Sequence, residues 1–118
     1  MNGVIQSIII PKGNYDELKK LATRYIEVAK TLPGFLETGV DLRVKIRESQ
    51  ENLFVELPGV FGVGEFKDIT IQILGLAETG SYILGVEEDD NDEVISVGYG
   101  VTENGVRKMR MTTTYSDL

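Results

Sequence analysis

Six of the 12 basic side chains of this 118-residue sequence fall into two short runs, Arg43, Lys45 and Arg47 in one and Arg107, Lys108 and Arg110 in the other. On an extended backbone alternate residues share a face, so Arg43, Lys45 and Arg47 point together, as do Lys108 and Arg110, with Arg107 beside a turn. If the two strands lie near each other, they form a positive patch suited to a carboxylate, a phosphate or an acidic protein partner. The plainer alternative is a solvated sheet face on which Glu56 neutralises Arg43.

Other constellations are weaker. Gly59-Val60-Phe61-Gly62-Val63-Gly64 has the wrong spacing for a dinucleotide fingerprint, and no Lys-Ser or Lys-Thr follows it as in a phosphate loop. Its glycines read as a bend, a bulge or a loop, and Phe61 and Phe66 on such a loop would offer a contact surface. The acidic stretch Glu87 to Glu93 fails the calcium-loop template: if Asp89 is position one, Val94 stands where the template needs glycine. It reads as a solvated loop, and no metal site is assigned. Tyr82 and Tyr99 fall on strands and are the candidates for lining a pocket. Thr112-Thr113-Thr114 carries no nucleophile signature.

The sequence has no His and no Cys. That excludes a thiol nucleophile, a disulfide framework, a Cys/His zinc site and a Ser-His-Asp triad. Any catalysis falls to Asp, Glu, Lys, Tyr or Arg, and no catalytic set or cofactor is expected. The net charge of −7 opposes a general nucleic-acid role. The apolar run Ile8-Ile9-Ile10 is too short for a signal peptide or a membrane span, so the expected setting is the cytoplasm, away from membranes.

Stepping from side chains to elements, Val4 to Ile10 reads as a central strand. Tyr15 to Leu32 reads as a helix: Asn14 caps it, Leu18, Leu21, Ala22, Tyr25, Ile26, Ala29 and Leu32 form its apolar stripe, and Pro33-Gly34 stops it. Val40, Leu42, Val44 and Ile46 alternate with charged residues. If Glu48 to Glu51 form the loop, Ile46 faces Leu53, Val44 faces Val55, Leu42 faces Leu57, and Arg43 faces Glu56. The segment Asp68 to Glu78 alternates like a strand through Ile69, Ile71 and Ile73. Ser81 to Val86 and Val94 to Val101 are further strands. A three-residue turn, Glu103-Asn104-Gly105, with Gly105 left-handed, sets Val97 against Met111 and Tyr99 against Met109 and sends Lys108 and Arg110 to the opposite face.

The sum is a single α+β domain over residues 1–118, in the order β-α-β-β-β-β-β. One long N-terminal helix packs on a curved, mainly antiparallel sheet or open barrel of about six to seven strands. From Val4 to Val40 the chain resembles the small dimeric α+β barrel monooxygenases of the ferredoxin-like class. The resemblance is carried by the opening strand, Tyr25-Ile26-Glu27-Val28-Ala29-Lys30 and Leu32-Pro33-Gly34-Phe35. The second helix of such a repeat is not visible after Asp68, and no functional residue is carried over. The leading functional expectation is a non-catalytic protein-interaction module: an assembly subunit, a regulatory or inhibitory partner, or a phage-type structural component that self-associates into a homo-oligomer. The alternative is a small-molecule binder or cofactor-free enzyme with a pocket between helix and sheet.

Overall fold

Alternation along Val4–Pro11 (β1) buries Ile8 and Ile10 on one side and leaves Ile5 and Ser7 on the other. The computed structural model describes residues 3–31, 43–88 and 93–114. In it β1 is central. The other strands are β2 (Lys45–Glu48), β3 (Asn52–Glu56), β4 (Tyr82–Glu88), β5 (Glu93–Thr102) and β6 (Gly105–Thr114). They form one sheet in the order β2-β3-β1-β4-β5-β6, antiparallel at every pairing. Among the described residues the sheet is open, with β2 and β6 at its edges.

Helix α1 (Tyr15–Thr31) follows a short 3₁₀ turn and buries Leu18, Tyr25 and Ala29, each one turn or two from the next. A second helix, α2 (Gly64–Leu74), buries Phe66, Ile69, Thr70, Ile73 and Leu74. The helices meet where the Tyr25 ring tilts against Phe66, centroids 4.9 Å apart. They share one core with Ile8 and Ile10 of β1, Leu53 and Val55 of β3, and Ile83 of β4. The run β1-α1-β2-β3-α2-β4 is the split β-α-β of ferredoxin-like folds, to which the β5–β6 hairpin adds two strands.

Helix α2 corrects the strand reading of Asp68 to Glu78. Ile69 and Ile73 are fully buried and Ile71 only half so, which is a 3.6-residue rhythm that strict alternation does not give. Nothing announces its start: Val63, before the helix, supplies no side-chain cap. The first hairpin is shifted by two residues from expectation. Ile46 pairs with Val55 and Lys45, not Arg43, with Glu56. A slip of two keeps every side chain on its face, so apolar matching cannot detect it. Ser49 decides the register by donating its backbone N–H to the Asn52 carbonyl at 2.9 Å, which closes a two-residue turn, Gln50-Glu51, in place of the four-residue loop expected.

The last hairpin also differs. Thr102 pairs with Gly105, Tyr99 with Lys108 and Val97 with Arg110, so the loop is Glu103-Asn104. Thr102 holds it, its hydroxyl accepting from the Asn104 N–H at 3.1 Å and donating to the Gly105 carbonyl at 3.0 Å. Gly105 has φ +98°, the left-handed region expected of it. Strand β6 is exposed at nearly every position, so no burial enforces a segregated apolar face and apolar matching does not set the register. Within the β4–β5 ladder, opposite Leu84, a Cβ on Gly98 would collide with the Ile83 carbonyl, so only glycine fits. The helix stop at Pro33-Gly34, Leu32, Val40 to Leu42, and Asp89 to Asp92 lie outside the described residues.

Burial pushes the Tyr25 hydroxyl up to about 12 from 10.0, partly offset by its contact with the Thr70 hydroxyl. That contact, at 3.5 Å, is long for O–H···O and contributes little. A folded value above the unfolded one means the stabilisation is complete below pH 10 and is lost as pH rises toward 12. Urea unfolding at two alkaline pH values on either side of the ordinary tyrosine range should show Tyr25→Phe losing less stability than the wild type, by about 2 kcal/mol. Equal losses would place Tyr25 in water.

Candidate functional site

Among the described residues, strand β6 of the β5–β6 hairpin is exposed at nearly every position. Val101 donates its N–H to the Ser81 carbonyl at 2.8 Å and accepts from the Gly80 N–H at 2.9 Å, both on the β4 side. Val101 and its partner Val106 are therefore a pair without hydrogen bonds between them. Antiparallel alternation then aims the backbone groups of Val106, Lys108, Arg110 and Thr112 at the open edge, while Arg107, Met109 and Met111 bond to β5. Among the described residues no strand pairs with that edge.

The helix-side face of the hairpin forms the floor of a cleft of about 460 Å³. Val97 and Tyr99 lie along it, Lys108 and Arg110 rim it, and Phe61 to Val63 form the opposite wall. Val63 is 53% exposed and Val97 38%. Gln6 fixes the start of that wall: its side-chain amide accepts from the Leu57 N–H at 2.7 Å and donates to the Leu57 carbonyl at 2.9 Å. It thus continues the β1–β3 ladder with a side chain. An apolar floor beside two cations suits a partner or ligand that is apolar along one side and anionic at one point. Glu87 also borders the cleft, on the side of the acidic stretch.

The two basic runs do not meet. They occupy opposite edges of the sheet, five strand spacings apart, roughly 24 Å. Lys45 stands opposite Glu56, Arg47 lies over the Phe54 ring at 4.9 Å, and Arg43 lies two residues before β2. Lys108 and Arg110 share the cleft face, and Arg107 falls on the other. Phe61 and Phe66 are corrected from exposed contacts to core residues, 3% and 1% exposed, because α2 turns Phe66 inward and the preceding loop folds Phe61 under it; Phe61 nonetheless borders the cleft. Tyr82 and Tyr99 lie on opposite faces, since Tyr82 pairs with Gly100 and Tyr99 with Ile83. Only Tyr99 lines the cleft. Sequence reasoning missed Met109 and Met111 as exposed surface, 37% and 38% open, and Val97 as cleft floor. Among the described residues no group of carboxylates gathers as a metal site, and no helix is long and apolar enough to cross a membrane.

No protein-family model matches the chain, and no solved structure gives a significant match. The chain is 31% identical over 122 aligned positions to the ATP synthase gamma chain of Rickettsia conorii and 30% identical to that of Rickettsia africae. Each alignment covers 97% of this chain and 36% of the relative, so the chain spans about a third of the curated proteins it matches.

The edge geometry is testable by proline. Lys108→Pro removes an outward N–H and leaves the ladder intact, whereas Met109→Pro removes a ladder bond. Thermal and urea unfolding should show Met109→Pro the less stable of the two by about 1–3 kcal/mol. The reverse order would show that the alternation along β6 is the opposite one.

Proposed function

We propose that this chain is a non-catalytic protein-interaction module, an assembly subunit that docks through β6. The observation that carries the reading is a ten-residue edge strand whose far side has no partner among the described residues. Edge strands of that length pair with other chains unless they are blocked, and pairing adds main-chain hydrogen bonds at no cost to the existing fold. The likeness to ATP synthase gamma chains supports it, since those relatives are named as chains of a larger enzyme. The setting in this reading is the cytoplasm. Self-association into a homo-oligomer is one form of it, and docking to an unlike subunit is the other.

The cleft supports a second reading, a small-molecule binder or cofactor-free enzyme using Tyr99, Lys108 and Arg110. Its volume of about 460 Å³ lies within the range of ligand pockets. It is open along the hairpin rather than enclosed, which favours an extended partner over a small molecule.

Light scattering coupled to gel filtration, run across concentration and in extract of the native cell, tests the leading reading. The chain should run in a species heavier than its own 13.1 kDa, and Lys108→Pro should return it to monomer mass. A wild-type chain that stays at monomer mass under both conditions would contradict it.

A further inference from the structure

We infer that β6 is built to receive an extended segment of another protein in which acidic and apolar residues alternate, and is set against pairing with itself. The inference rests on the reading of β6 as a docking edge and names what docks there.

Charge along the two faces of the hairpin selects the partner. A strand added beside β6 continues both faces of the sheet. On the cleft face its side chains stand opposite Lys108 and Arg110, neither of which makes an ion pair among the described residues. Acidic residues belong at those positions. On the other face they stand beside Met109 and Met111, which are exposed and adaptable, so apolar residues belong there. Farther along, Thr112 and Thr114 replace the cations on the cleft face, and Glu87 and Glu93 share that face on β4 and β5. Neutral residues fit that end. The partner's acidic positions are thereby fixed toward the Glu103-Asn104 turn, which sets both register and direction.

The same charges oppose a second copy. The two-fold pairings of β6 with β6 that overlap most set like charges directly opposite, which is unfavourable: centred on Met109, Lys108 faces Arg110 twice, and centred on Arg110, that residue faces its own copy. The chain's net charge of −7 repels an acidic segment at a distance. That repulsion is screened over about 8 Å at physiological salt, so the contacts at Lys108 and Arg110 decide the outcome.

Fluorescence anisotropy with labelled nine-residue peptides tests this on the whole chain, one peptide alternating Glu with Val and one alternating Lys with Val. The Glu peptide should bind at least about tenfold tighter at low salt, and the preference should shrink as salt is added. The double variant Lys108→Glu, Arg110→Glu should reverse the preference, with circular dichroism confirming that it folds. Lys108→Pro should abolish binding of both. Equal binding of the two peptides, a preference that survives the double variant, or a wild-type homodimer paired through β6 would overturn the inference. If neither peptide binds while the chain still enters a heavier complex in extract, the alternating partner is wrong and the docking module stands. If the chain also stays monomeric in extract, both fail.

Discussion

Two helices are too narrow to cover six strands. A helix with its side chains is about 10–12 Å across and strands lie about 4.8 Å apart, so two helices side by side shelter about four strands. Helices α1 and α2 lie over the sheet around β1, where Ile8, Ile10, Leu53, Val55 and Ile83 close the core beneath Tyr25 and Phe66. Strand β5 lies at the margin of that cover, with Tyr99 and Val101 packed against the core, and β6 runs out beyond it. Two features of the surface follow from this limit: a half-open cleft with cations at its rim, and an edge with free backbone groups.

The hairpin is held to the covered part along a continuous β4–β5 ladder from Tyr82–Gly100 to Glu88–Val94, and a few positions adapt it. Gly98 lets β5 approach the Ile83 carbonyl closely, and Val101 keeps β5 bonded to the Gly80–Ser81 segment. Ser81 is itself buried, its hydroxyl accepting from the Ile9 N–H at 3.1 Å. These bonds keep β5, and β6 paired to it, in register with the core. The sheet presents β6 as a rim.

Much of this was readable in advance, and the failures share a cause. The strand at Val4–Pro11, the helix over Tyr15–Thr31 and the strands in the second half follow from patterns that burial enforces. Where burial is one-sided but does not fix position, as at Ile46 and Val55, the face was right and the pairing was off by two. Where burial is absent, as along β6, apolar matching had nothing to act on and local turn chemistry at Thr102 decided instead. Helix α2 escaped because the types of Ile69, Ile71 and Ile73 alternate as in a strand, while the helical rhythm is carried by Phe66, Ile69, Thr70, Ile73 and Leu74, with a polar threonine among them. The basic residues were visible as candidates. Their separation to opposite edges was not, because strand order depends on which strands the helical crossovers bring together.

The account turns on an edge strand with one satisfied side and one open side. Amide hydrogen exchange followed by NMR reads that directly in the isolated chain. The N–H groups of Arg107, Met109 and Met111 should exchange slowly, and those of Val106, Lys108, Arg110 and Thr112 fast, in strict alternation. Slow exchange at both sets would mean the outer side of β6 is already paired, and fast exchange at both would mean the hairpin does not form.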